Sequence, residues 1–279
     1  MARVSRDSIK YILLIAVGMI MIYPFVWMCL ASFKSNDEIF GSLNLLPSKI
    51  SFAPFAKGWE GSGQYTYTNF FSNSFWLVIP TTLFTVLSSV VVSYAFARLK
   101  FHFKNAAFML MIATLMLPNA VVIIPRYMIF NNLHWVDSYL PFIVPALLAC
   151  NSFFIFMMVQ FFRGLPKELD ESAYIDGCNS FEILVKILAP LCKPAIISAF
   201  LFQFIWTWND FFNSLIYINS VSKYTVTLGL RMSLDNESGV TPWNQVMAMS
   251  FMTIVPCVLL FFFAQKYFVE GIATTGLKG

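Results

Sequence analysis

The sequence predicts an all-α integral membrane protein with six transmembrane helices, on three observations. The 279 residues are 58% apolar and only 11% charged. A soluble domain carries about 25% charged residues, so polar surface is too scarce here to cover a water-soluble body. Six windows hold roughly the 20 apolar residues that a helix needs to cross a hydrocarbon core. Twelve of the eighteen Lys and Arg residues fall on one side of those windows. The other six are Lys34, Lys49, Lys57, Arg126, Lys223 and Arg231. That bias places both termini in the cytoplasm.

The elements follow in order. Arg3, Arg6 and Lys10 precede an apolar run over 11–31. A signal-peptide core is about 7–15 residues, and Trp27-Met28-Cys29 is too bulky for a cleavage site, so the run reads as a retained first span. Residues 32–73 form an outer loop rich in Ser, Gly, Asn and Tyr. The second span covers 74–97 and the third 106–124, where Pro118 and Pro125 bend or stop the helix. The fourth covers 139–162, the fifth 187–208 and the sixth 246–264. Between the last two lies a second outer segment, 211–245, in which 224–230 reads as a short strand. Spanning segments satisfy their own backbone, so they are helices. None alternates as a transmembrane barrel would.

The spans carry almost no charge. Lys193 is the exception, near the inner end of the fifth, where it can snorkel to the interface. Ion-coupled pumps place Asp, Glu or His at membrane depth, and these spans hold none. Cys29, Cys150, Cys178, Cys192 and Cys257 form no Cys-x-x-Cys pair, and His102 and His134 lie in loops on opposite sides. No metal site is expected. No Gly-x-Ser-x-Gly, His-Glu-x-x-His or phosphate-loop motif occurs, so neither an intramembrane hydrolase nor an ATPase is expected.

One cytoplasmic stretch concentrates acids and bases. Leu165-Pro166-Lys167-Glu168-Leu169-Asp170-Glu171-Ser172-Ala173-Tyr174-Ile175-Asp176-Gly177 reads as an amphipathic helix of about three turns. Pro166 suits its first position. Glu168, Asp170 and Glu171 complement the positive end of the helix dipole, and Gly177 suits a left-handed stop. Asn179 with Glu182 then forms a capping box for the next helix. A short stiff helix delimited at both ends is a lever that a cytosolic partner can grip. An ordinary amphipathic helix on the membrane surface would read the same way.

Glu171-Ser172-Ala173, Asp176-Gly177 and Ile187-Leu188-Ala189-Pro190, with Pro194 beyond, resemble the Glu-Ala-Ala…Gly…Ile…Pro signature of ABC importer permeases, with Ser172 in place of the usual Ala. Ser32-Phe33-Lys34, Tyr94-Ala95-Phe96-Ala97-Arg98, Ile124-Pro125-Arg126-Tyr127, Trp208-Asn209-Asp210-Phe211 and the tail from Gly271 to Gly279 extend the likeness along the chain. Together they resemble the second, smaller permease subunit of maltose-type carbohydrate importers. The resemblance implies a type I ABC importer permease fold with a cytoplasmic coupling helix. It divides the chain into an N-terminal helix and outer loop (1–73), a permease core (74–268) and a cytoplasmic tail (269–279).

The resemblance also implies the partners: a second permease, two ATPase subunits, an extracellular solute-binding protein, and a sugar or oligosaccharide as cargo. It implies a multi-pass protein of the bacterial cell membrane. ATP and Mg would act on the partner ATPase, with no cofactor on this chain. Glu168, Asp170, Glu171, Ala173, Asp176 and Gly177 would contact the ATPase, and 276–279 would reach it from the tail. Asn151, Trp206, Trp208 and Asn209 are the residues on which a sugar path is expected, although Trp also anchors helices at membrane surfaces. Two alternatives remain open at this point: an ABC permease for another solute such as glycerol-phosphate, and an ion-coupled secondary transporter.

Overall fold

The computed structural model describes residues 2–61, 64–234 and 241–276, with side chains described from 7 to 266 within those ranges. Every regular element among them is a helix. In chain order these are α1 (Ala2–Ala31), α2 (Asn36–Gly41), α3 (Ala53–Trp59), α4 (Tyr67–Arg98), α5 (Lys104–Leu115), α6 (Asn119–Asn132), α7 (Leu140–Leu147) and α8 (Ser152–Gly164). Then come α9 (Glu168–Ile175) and α10 (Ser180–Glu182), which runs through a π-helical stretch (Ile183–Leu188) into α11 (Ala189–Leu191). The chain continues with α12 (Lys193–Trp208), α13 (Phe211–Tyr217), α14 (Val226–Leu234) and α15 (Trp243–Gly276).

Four stretches are long and apolar enough to cross a membrane: Asp7–Ala31, Tyr67–Arg98, Leu140–Gly164 and Trp243–Lys266. Two bent pairs bring the total to six if each pair is one span. The pair α5 and α6 turns by 105°. Pro118 sits at that corner in extended conformation, because proline has no N–H to continue the ladder and its ring pushes the preceding residue out of the helical region. The fifth window is likewise bent, by 80°, between Leu191 and Lys193. Pro190 and Pro194 flank that corner.

The chain divides into two compact units. One comprises Met1–Thr68 and Gly229–Val255. In it, the stretch read as an outer loop carries two short helices, α2 and α3, fixed by polar contacts. Asn244 Nδ2 donates to Lys34 O (3.2 Å), and Asn36 Nδ2 to Thr241 O (3.1 Å). The Lys34 ammonium, almost fully buried, donates to the Asn44 carbonyl. Ser48 donates twice to the Glu38 carboxylate, at 2.7 and 2.8 Å, and those bonds hold Glu38 below its ordinary range. By contrast, the apolar window of α1 is 0% buried within the chain, as in a lipid-facing helix.

The other unit comprises Asn69–Leu228 and Pro256–Gly279. Its principal core joins Tyr94 of α4, Met158 and Phe162 of α8, Ala173 of α9, and Ile183, Leu184 and Leu188 of the π-helical stretch. A smaller cluster joins Val86, Phe154 and Ala199.

The sequence expectation of a strand over 224–230 is corrected: Val226–Leu234 is helical. No neighbouring strand is present among the described residues to pair with it. A lone strand would leave its backbone groups unpaired, whereas a helix satisfies its own. The Val226 N–H is taken by Ser74 Oγ at 2.8 Å. Local β-propensity is weak against that requirement.

Candidate functional site

The acidic helix forms where the sequence places it, but it is shorter. α9 spans Glu168–Ile175, about two turns, and Pro166 stands before it rather than in its first position. Lys167 takes the N-cap, while Glu168, Asp170 and Glu171 fill the first turn. The C-terminal stop is a Schellman motif. Gly177 N–H donates to Tyr174 O (3.1 Å) and Cys178 N–H to Ala173 O (2.9 Å). Gly177 has φ +84°, a conformation that glycine adopts without penalty. The capping box is formed as expected: Asn179 N–H donates to Glu182 Oε2 and Glu182 N–H to Asn179 Oδ1, both at 3.0 Å.

The two faces of α9 differ. Ala173 is buried against the chain's own core, among Tyr94, Phe162, Ile183 and Leu184. A larger side chain there would lift the helix off the spans. Asp170 also turns inward, with Oδ2 3.2 Å from Arg98 Nε and its side chain 13% exposed. The outward face carries Glu168, Glu171, Ser172, Asp176 and Gly177, all exposed. Tyr174 and Ile175 join them at 50% and 87% exposure, and Phe181 lies beyond at 69%. Three carboxylates thus stand beside exposed apolar side chains on this face. The tail residues 277–279, expected to reach the same partner, lie outside the described residues.

A cavity of about 680 Å³ lies within the second unit. Its wall takes Thr81 and Thr85 from α4, Arg126 from α6, Gln203 and Thr207 from α12, and Asn213 and Tyr217 from α13, with Asn151 and Asp210 between helices. A relay runs along one side. Asn151 Nδ2 donates to Gln203 Oε1 (3.2 Å), and Gln203 Nε2 donates to Thr207 Oγ1 (2.8 Å). Asp210 caps α13, accepting from Asn213 N–H (3.1 Å) and Nδ2 (2.7 Å). Asn213 Oδ1 and Tyr217 Oη are sealed from solvent without a hydrogen bond of ordinary geometry, with Arg126 beside Tyr217. The wall therefore offers uncharged amides and hydroxyls together with one cation and one carboxylate. Such a lining exchanges hydrogen bonds with a hydroxyl-rich solute.

Of the four residues expected on a sugar path, Asn151 lines this cavity. The other three stand apart from its wall. Trp208 is 2% exposed and packs on Phe71, Phe75 and Phe204. Trp206 packs on Phe153 and Phe154, and Asn209 Nδ2 donates to Ile205 O at the end of α12 (2.8 Å). Sequence reasoning missed Gln203, Thr207, Thr81 and Thr85. Their signal was an i, i+4 recurrence of uncharged polar residues within otherwise apolar spans, which puts each pair on one face.

Comparison with known proteins agrees with this architecture. Residues 89–274 match the family described as binding-protein-dependent transport system inner membrane component. The chain is similar to the arabinooligosaccharides transport system permease protein AraQ of Halalkalibacterium halodurans, 32% identical with all of both chains covered. It is also similar to the sn-glycerol-3-phosphate transport system permease protein UgpE of Yersinia pestis bv. Antiqua, 28% identical over 97% of each. Its fold matches a chain from the crystal structure of a bacterial ABC transporter involved in the import of the acidic polysaccharide alginate. That match has a TM-score of 0.80 at 22% identity, over 96% of this chain and 98% of that one. Four to six apolar spans, a delimited acidic helix following Leu140–Gly164, and a family match over two thirds of the sequence converge: the chain belongs to the inner membrane components of binding-protein-dependent transport systems, a multi-pass permease subunit of an ABC importer.

Proposed function

We propose that this chain forms half of the translocation pore for a sugar or oligosaccharide, with α9 as the lever through which cytosolic ATPases move it. The observation that carries the reading is the two-faced geometry of α9. Asp170 and Ala173 fasten it to the spans, and Glu168, Glu171, Tyr174 and Ile175 are left to a partner. Closure of an ATPase pair on ATP would displace α9, and the difference in affinity between the two pore states would shift their populations. ATP and Mg act on the ATPase subunit, and a second permease completes the pore. The chain sits in a bacterial cell membrane with both termini in the cytoplasm, 74–268 serving as the pore-forming core and 269–279 as the tail.

Cargo with many hydroxyls and no net charge fits the cavity's amides and hydroxyls, with Arg126 balanced by Asp210 in the same wall. The AraQ relative's named cargo supports this reading. Anionic cargo such as glycerol phosphate is the second reading, favoured by Arg126 and by the UgpE relative. Uptake of arabinotriose against glycerol 3-phosphate by the reconstituted importer separates the two. The test of the lever is Glu171→Lys. It leaves membrane insertion intact and abolishes uptake, because it reverses one of three exposed carboxylates on the docking face. Uptake at the wild-type rate would refute the assignment.

A further inference from the structure

The chain ties α9 covalently to two spans, the fourth before it and the fifth after it. A third tie comes from the second span. Arg98, the last residue of α4, donates through Nη2 to Leu165 O at 2.9 Å and to Pro166 O at 3.3 Å. Its Nε stands 3.2 Å from Asp170 Oδ2, and the two side chains are 6% and 13% exposed. One guanidinium thus holds both the entry to α9 and its first turn. A planar fork with five donors does this, whereas a single ammonium does not. One turn back along α4, Tyr94 meets Phe162 of α8 edge-on, with ring centroids 6.4 Å apart, inside the core that also buries Ala173. Polar clamp and apolar core therefore grip the same two elements side by side.

We propose that Arg98 is a positioning residue for energy coupling, which locks α9 to the inner end of the second span. Displacement of α9 then moves α4 as well as the spans on either side of it. α4 carries Thr81 and Thr85 into the cavity wall. Thr85 lies about 20 Å up the helix from Arg98, at about 1.5 Å per residue. Asp170 fixes the rotation of α9 through its charge contact with the guanidinium, and that turns Glu171 outward. The proposal rests on the reading of α9 as the ATPase lever.

The test uses the importer assembled with its partner permease and ATPases in nanodiscs. Cys150 lines the cavity and is exposed, so it reports on pore state when Cys29, Cys178, Cys192 and Cys257 are replaced by alanine. Its rate of labelling by a membrane-impermeant maleimide is compared without nucleotide and with MgATP and vanadate, normalised to assembled complex. Arg98→Met shrinks the nucleotide-dependent change about fivefold or more, the lower end of an ordinary coupling energy. Arg98→Lys restores part of it through the charge at Asp170. Asp170→Asn loses less than Arg98→Met, because the bonds to Leu165 O and Pro166 O remain. A purely structural role would lower the yield of complex and leave the response per complex unchanged. An Arg98→Met importer that responds like the wild type overturns the proposal. In a separate variant, Glu171→Cys cross-links to an ATPase subunit whether or not Arg98 is replaced. Absence of that cross-link with Arg98 intact would remove the lever reading itself and the clamp's purpose with it.

Discussion

Asp137 occupies the left-handed region, with φ 60°, and its side chain gathers the segment that follows α13. Oδ1 accepts from the N–H groups of Asn219 (3.0 Å) and Ser220 (2.8 Å), and Oδ2 accepts from Ser220 Oγ (2.6 Å) and Lys223 Nζ (2.9 Å). Partial burial alone would raise its pKa, but these bonds together hold it well below the usual carboxylate range. Loss of a charged hydrogen-bonding group of this kind costs about 2 kcal/mol, so Asp137→Ala lowers the thermal midpoint of the purified chain. The sign of the pH dependence follows from the depressed pKa. The contribution is complete above the unfolded value, near 4, and is lost as the pH falls through the lower folded one. The deficit of Asp137→Ala relative to wild type is therefore flat from about pH 8 to about pH 5 and narrows only under stronger acid. A deficit that vanished at pH 6 would show that the carboxylate is not the anchor. This residue escaped the sequence reading because its partners lie some 80 positions away, and nothing local distinguishes it from a loop aspartate.

At the scale of elements, helix ends were the most legible feature. The Gly177 stop and the Asn179–Glu182 capping box use side chains within a few residues of the groups they satisfy, so they can be read without tertiary information. Gly177 also gives the sharpest prediction here. A methyl group added there would meet nothing within 4 Å, so Gly177→Ala costs only the strain of the left-handed backbone, about 1 kcal/mol, and uptake persists. Gly177→Pro cannot adopt φ +84° and removes the N–H that donates to Tyr174 O. Uptake by that variant is lost while membrane insertion, read by fractionation, is kept. Bends were only half legible. Pro118 marked the corner between α5 and α6, but the 80° turn at the start of α12 and the π-helical stretch before it were not foreseen. Proline announces that a helix will break but does not set the angle, which packing decides. Along α4, Thr81, Thr85, Ser89 and Ser93 recur every fourth residue and are all buried. Small polar residues of this kind let spans approach closely, and the first two also face the cavity.

For the whole molecule, composition determined the solvent. A chain with this little charge must turn its apolar helices to lipid. The ion-coupled alternative gives way to membership of a binding-protein-dependent family. On the proposed reading, energy enters from another polypeptide. The purified chain alone hydrolyses no ATP, and turnover appears on addition of the ATPase subunit and rises with loaded binding protein. Turnover in the assembled importer that ignored the loaded binding protein would contradict the importer mechanism.

The apolar stretches long enough to cross a membrane and the site of the acidic helix follow from hydropathy and capping chemistry, which act within about twenty residues along the chain. Which side of α9 faces inward did not follow. Asp170 looks like one of three equivalent carboxylates in the sequence, and only the approach of Arg98 from another span separates it from Glu168 and Glu171. The cavity likewise draws its wall from several helices far apart in the sequence, so Gln203 and Thr207 became a site, and Trp208 a packing residue, only once those helices were assembled. Local interactions fix where elements begin and end. The pairing of side chains across elements depends on packing, and no short stretch of sequence contains both partners.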